Sequence, residues 1–270
     1  MLKTRIVTAL CLLAALLAVL FFPLACSVFL LLLFLAAAWE NCRLFDNRHP
    51  LPVAIGLTLL FLLCILWGEP RLYAGFAVFS VAAWLLYFFP TMALPLPMKG
   101  SLRDRVLELI YFASIAGAFL SFLYLYERSR VYLFSSLILV NLADVGAYVV
   151  GRAFGRHKLA PAISPGKTWE GAFGGGLTVL VASAAFLFVP AAKDCVTTRI
   201  YAAYGWGGLL VGIGVLVSMS IVGDLHESRL KRRRGFKDSS HLLPGHGGVL
   251  DRFDSLIPVF PLSVLVYWWT

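Results

Sequence analysis

The sequence is short of charge. Asp, Glu, Lys and Arg make up only 14% of its 270 residues, where a soluble domain carries roughly 25%. Hydrophobic residues make up 60%, and the mean hydropathy is +0.86. That balance excludes an ordinary water-soluble fold. Cysteine is scarce as well: Cys11, Cys26, Cys42, Cys64 and Cys195 are scattered, odd in number and mostly inside apolar runs. They have neither CxxC metal spacing nor a disulfide framework, and read as small hydrophobes. His226, His241 and His246 lack companion cysteines and HExxH spacing, which disfavours zinc. A Walker A loop is missing too. Pro161 stands where GxxxxGK[ST] needs its first glycine, and no strand is expected before Lys167. Lys3 and Arg5 precede an apolar run like a signal peptide, but no clear small-x-small cleavage site precedes a soluble region, so the run reads as a retained helix.

Apolar runs fill the space these absences leave. A bilayer core of ~30 Å takes about 20 apolar residues per helix. Runs near 5–22, 24–39, 51–68, 72–89, 105–126, 131–154, 170–191, 203–222 and 249–269 predict an all-α integral membrane protein with about nine transmembrane helices. The net charge of +9 raises nucleic acid as a partner, but its distribution argues against it. With nine spans, one face collects 18 Lys or Arg and the other holds five, namely Arg71, Arg128, Arg130, Lys193 and Arg199. The positive-inside rule makes the richer face cytoplasmic. The expected topology is therefore N-terminus in, C-terminus out, with the large basic loop in the cytosol and a polar cavity on the cytoplasmic side. The organisation reads as an N-terminal bundle (1–100), a middle span and connection (101–135), and a catalytic domain (136–270) with a cytoplasmic loop at 223–250.

The first hundred residues offer little chemistry, and Glu40 with Arg43, three apart at a helix end, reads as a solvated pair. Pro90, Pro95 and Pro97 mark a connection. Asp104 and Glu108 open the next helix, where acids suit the macrodipole. Gly151 and Gly155 form a small-xxx-small pair, and the five glycines of 205–215 read as close packing in the bilayer.

Chemistry concentrates later. The stretch 228–254 holds seven Lys or Arg, three Asp and two His in 27 residues. Charges cost at least ~3 kcal/mol each at the bilayer centre, so this segment belongs at a surface or in a wet cavity. Asp224 ends the preceding apolar run, and Asp251 and Asp254 open the next at i, i+3. Asp144 and Tyr148 share a face of the sixth span. Asp144 is either a functional acid or a helix-packing hydrogen bond. Lys167 follows Pro165 and Gly166 in a turn, with Thr168 placed to cap a helix from about Trp169. It is either a phosphate site at a helix N-terminus or a membrane-surface lysine. Asp224, Asp251 and Asp144 together could supply oxygen ligands to Mg²⁺, which takes one or two carboxylates beside water and phosphates. The glycines of 243–248 let backbone approach a ligand. Lys231 to Arg234, Lys237 and Arg252 could neutralise phosphates, although a run such as RLKRRR is also an ordinary anchor to anionic lipid.

Ser228, Lys231-Arg232, Lys237-Asp238, Pro244-Gly245-His246-Gly247-Gly248, Asp251-Arg252 and Asp254 resemble, without a gap, the S-x₂-KR-x₄-KD-x₅-PGHGG-x₂-DR-x-D signature of phosphatidate cytidylyltransferases. Asp144 with Ala147-Tyr148, Ser164-Pro165 with Lys167-Thr168 and Glu170-Gly171, and Gly223-Asp224 with Glu227-Ser228 are similar to the same family. The strong motifs cover 140–254, and Arg233-Arg234 are extra to the signature. The resemblance implies CTP plus phosphatidate giving CDP-diacylglycerol and pyrophosphate in phospholipid biosynthesis. It implies Mg²⁺, replaceable by Mn²⁺, a second cation such as K⁺, and a homodimer. The catalytic positions it implies are Asp144, Lys167, Asp224 and Asp251, with substrate on Ser228, Lys231, Arg232, Lys237, Asp238, His246, Gly247, Gly248, Arg252 and Asp254. Rival readings are a CTP-dependent lipid kinase of polyprenol type, an ion-coupled transporter, whose inverted repeats the one-sided distribution of motifs does not match, and a scaffold on anionic lipid.

Overall fold

The computed structural model describes residues 21–270, so the first expected span lies almost wholly outside the described residues. Six of the nine helices among the described residues begin where proline or a hydroxyl makes beginning easy. Helix α1 (Pro23–Leu44), α2 (Pro50–Trp67) and α3 (Pro70–Ala83) each carry proline in the first turn, where a missing N–H loses no intrahelical bond. Helix α4 (Leu102–Arg128) and α5 (Arg130–Phe154) start on serines: Ser101 Oγ accepts from the Asp104 N–H and Ser129 Oγ from the Tyr132 N–H. Helix α3 runs on into a π-helical turn at Trp84–Phe88 before the proline-rich connection. Helix α6 (Trp169–Phe186) is capped by Thr168, whose Oγ1 accepts from the Gly171 N–H, as the sequence predicts. Helix α7 (Val196–Arg233), the short α8 (Leu250–Phe253) and α9 (Leu256–Trp269) complete the chain.

Among the described residues six helices are long and apolar enough to cross a membrane: α1, α2, α3 with its π turn, α4, α5 and α7. They contain the runs expected at 24–39, 51–68, 72–89, 105–126, 131–154 and 203–222. The run at 170–191 forms α6, whose first turns hold Glu170 and Gly171, Gly174, Gly175 and Gly176, and these dilute its hydropathy. The run at 249–269 divides into α8 and α9, leaving a final apolar helix of 14 residues. Helix α4 stands at the centre, with 72% of its most apolar window buried. Phe119 on α4 meets Phe34 of α1 edge-on at 5.4 Å, and Phe34 stacks on Phe61 of α2 at 3.9 Å. Such contacts fix helix order where lipid is as apolar as the side chains.

The fold is not wholly α. Strands β1 (Lys158–Ala160) and β2 (Ser164–Thr168) form an antiparallel hairpin pairing Lys158 with Thr168 and Ala160 with Ser164. Lys167 therefore lies on a strand rather than in a turn. The Walker A pattern still fails at Pro161, but the expectation of no strand there does not hold.

Close helix packing occurs at one of the two places expected. Helices α5 and α6 approach backbone to backbone. A Cβ at Gly175 would lie 2.6 Å from the Ala143 carbonyl oxygen, one at Gly171 2.8 Å from that of Ala147, and one at Gly151 2.9 Å from Thr168 Oγ1. The glycines of 205–215 behave differently. Gly205, Gly207 and Gly214 have open space around them, and Gly208 and Gly212 face Tyr204 and Ile200 of the same helix. Their contribution is a break: Gly205 takes φ 64 and ψ −162 inside α7, which no residue with a Cβ adopts readily. The 38 residues of α7 would span about 57 Å if straight, so a kink near one end is what lets the rest fit a bilayer.

Gly175→Val should lower the unfolding midpoint of the detergent-solubilised protein. The expected cost is about 1–3 kcal/mol from overpacking, while Gly214→Val, in open space, should leave the midpoint unchanged.

Candidate active site

The α5–α6 contact, the hairpin and α7 enclose a cleft of about 640 Å³ lined by Asp144, Tyr148, Arg152, Lys158, Lys167, Thr168 and Asp224. Asp144 is exposed into it. The hairpin carries Lys167 across to α7, where its Nζ lies 2.5 Å from Asp224 Oδ2. The other oxygen of Asp224 accepts from Ser228 Oγ one turn on, at 3.2 Å. Asp144 lies within electrostatic reach of Lys167, Asp224 and Arg252. Four positions far apart in the chain are thus brought together, and Tyr148 donates no bond to Asp144 but holds Arg152, whose guanidinium donates to the Tyr148 hydroxyl at 2.8 Å.

A second cluster forms where the signature loop folds back on α7. Lys231 Nζ sits 2.6 Å from Asp251 Oδ1 and 3.3 Å from Glu227 Oε2. Asp251 Oδ2 accepts from the Ser239 N–H at 2.8 Å, the Ser239 hydroxyl at 2.9 Å and the Gly248 N–H at 2.8 Å. Gly247 supports this geometry with φ 82, and a Cβ there would press on Asp251. Because the last apolar helix starts only at Leu256, Asp251 and Asp254 lie outside it. Burial pushes the Asp251 carboxyl up, but the Lys231 ammonium and the two backbone donors outweigh it and hold it below the usual range. Burial, then the nearby Asp224 charge, push Asp254 up to about 6.

The remaining predicted residues divide. Arg252 is exposed, and its Nε donates to the His246 carbonyl at 3.1 Å, bracing the glycine turn. Lys237 and Asp238 are exposed on the loop, and among the described residues no hydrogen bond or ion pair joins them to the cleft. Arg232 is exposed and donates to the Phe236 carbonyl at 3.2 Å. Arg229 and Arg233 are engaged inside the molecule, and Arg234 is held in a surface pair. Arg229 donates to the Leu94 carbonyl at 2.5 Å, Arg233 pairs with buried Asp104 at 2.5 Å, and Arg234 pairs with Asp46 at 2.7 Å. Arg232 and Lys237 are the members of the run that stay exposed.

Sequence reasoning misread Glu40. It is not solvated but fully buried, and it accepts from Ser240 Oγ at 2.6 Å, Val249 N–H at 2.9 Å, Leu250 N–H at 2.7 Å and Ser239 Oγ at 3.0 Å. Arg43 does not pair with it but lies over the Trp39 ring at 4.6 Å and donates to the Ser239 carbonyl at 3.4 Å. The signal was available: an acid closing an apolar run merits the same suspicion as Asp144.

The family comparison covers the whole of this geometry. The cytidylyltransferase family profile matches residues 3–270. The chain belongs to the cytidylyltransferase family. Phosphatidate cytidylyltransferase of Haemophilus influenzae is 34% identical over 290 residues, covering 99% of both chains. That of Pseudomonas aeruginosa is 37% identical over 283 residues, covering 99% of this chain and 97% of its own. A Staphylococcus epidermidis enzyme of the same name is 46% identical over 153 residues, 55% of each chain. As a cytidylyltransferase-family chain this is a nucleotidyltransferase, and its apolar helices make it a multi-pass membrane protein.

Among the described residues no three or more His, Cys, Asp or Glu side chains converge as a ready metal cage. The donor set still fits Mg²⁺, which is content with one or two carboxylates beside water and phosphate oxygens. Asp144 and Asp224 line one cleft and could supply those two, and Lys167 and Lys231 pair with Asp224 and Asp251.

Removing one partner of a buried ion pair strands the other. Arg233→Met should therefore cost about 3–5 kcal/mol of stability through Asp104. Arg232→Ala should change thermal unfolding little.

Proposed function

We propose that this chain makes CDP-diacylglycerol from CTP and phosphatidate, releasing pyrophosphate, at the cytoplasmic face of the cell inner membrane. The observation that carries the reading is the Lys167–Asp224 contact, which joins two separate motifs at a cleft also lined by Asp144. The gap-free signature and the names of the Haemophilus and Pseudomonas relatives support the choice of substrates. The excess of Lys and Arg on one set of connections supports the cytoplasmic orientation.

Asp224 and Asp144 would hold Mg²⁺, with the third expected ligand, Asp251, placed in the neighbouring cluster on Lys231. The ion would supply charge neutralisation at the phosphates as pyrophosphate departs. The chain's own residues bind and orient. Lys167, freed from Asp224, reaches substrate phosphate as an ammonium point charge, and exposed Arg252 offers a planar fork suited to two phosphate oxygens. Lys237 adds positive charge at the loop. The lipid phosphate then attacks the α-phosphorus in line. A phosphate monoester is largely ionised at pH 7, with a second pKa near ~6, so no protein nucleophile or general base is needed. A second cation such as K⁺, Mn²⁺ in place of Mg²⁺, and assembly as a homodimer belong to the same proposal.

Purified protein given phosphatidate and CTP labelled at the α- or γ-phosphate decides between this and a lipid kinase. Label should enter lipid only from the α position, and chiral α-thio-CTP should react with inversion. Transfer of γ label would mean a kinase, and net retention would mean a covalent nucleotidyl-enzyme.

A further inference from the structure

The signature loop is held from behind by a residue outside the signature. Both oxygens of Glu40, at the C-terminal end of α1, are used twice. Oε1 accepts from Ser240 Oγ at 2.6 Å and Val249 N–H at 2.9 Å, and Oε2 accepts from Ser239 Oγ at 3.0 Å and Leu250 N–H at 2.7 Å. Val249 and Leu250 lead directly into Asp251 and Arg252. Ser239 joins the two carboxylates, because its single O–H lies between Glu40 Oε2 at 3.0 Å and Asp251 Oδ2 at 2.9 Å and is shared by them. The same carboxylate explains a fixed glycine of the motif: a Cβ on Gly248 would collide with Glu40 Oε1 and Ser239 Oγ. The loop can therefore close only around an acceptor-only group of this length, with nothing larger than hydrogen at position 248.

We propose that Glu40 is a positioning residue for nucleotidyl transfer, setting the place of Asp251 and Arg252 through the backbone of Val249 and Leu250. The role rests on the cytidylyltransferase reading above. Gln at position 40 keeps the shape but turns one acceptor into an NH₂ group, so whichever way the amide lies, one of the two backbone N–H groups loses its partner. Glu40 reaches the reacting atoms only through the loop, and a displacement of about 1 Å at catalytic groups costs on the order of 100-fold.

The test pairs kinetics with hydrogen exchange on the full-length protein in nanodiscs. Glu40→Gln should lower kcat by about 100-fold with KM for phosphatidate held. Amide exchange should rise in 239–250 and stay at the wild-type level in α4. Gly248→Ala should give the same pattern. If Glu40→Gln does not fold, Ser240→Ala, which removes one donor from Oε1, should show a smaller loss of the same kind. Wild-type kcat in Glu40→Gln would overturn the proposal. So would exchange rising as much in α4 as in the loop, since Glu40 would then support the fold at large. A wild-type protein that labels no lipid would sink the functional reading instead, while loop exchange would still judge the clamp.

Discussion

A buried carboxylate needs donors, and in this protein that requirement organises the polar half of the fold. Glu40 and Asp251 draw in seven hydrogen-bonding contacts from a single loop, counting Ser239 towards both. Without them the loop between α7 and α8 would be left to apolar contacts such as those of Phe236 and Leu243 with the core. With them it becomes a rigid lining at the end of a membrane bundle. The lysine of that cluster, Lys231, is itself buried against Glu227 and Asp251, so charges that are costly singly are arranged so that each answers another.

The second constraint is the glycine contact between α5 and α6. It brings Asp144 to the mouth of the hairpin that carries Lys167, and α7 then delivers Asp224 to the same place. Cleft and loop meet along one face of α7, where Asp224, Ser228 and Lys231 follow one another at helical spacing. The cleft side of that face presents Lys158 and Lys167 beside Asp144 and Asp224.

Much of this was legible in the sequence. Six apolar runs became helices where expected, Thr168 caps α6 as its hydroxyl and position predicted, and the residues around the cleft were named from intramembrane acids and a helix-start lysine. What was not legible depended on partners distant in sequence. Glu40 looked solvated because its four donors lie about two hundred residues away. The basic run reads equally well as a lipid anchor because its partners are distant in sequence: Asp46 just past α1, the Leu94 carbonyl in the proline-rich connection, and Asp104 on α4. The glycines of 205–215 looked like a packing face because composition cannot tell a close contact from a kink, and the hairpin at 158–168 was hidden by proline and glycine that read as a turn. Local chemistry was readable, and long-range pairing was not.

The central claim is that Glu40, Ser239 and Asp251 act as one network. A double-mutant cycle on thermal unfolding tests it most directly, using Glu40→Gln, Ser239→Ala and the double variant. Residues in one hydrogen-bond network couple by about 0.5–3 kcal/mol, so the double variant should lose at least 0.5 kcal/mol less than the two single losses combined. Strict additivity would contradict the account.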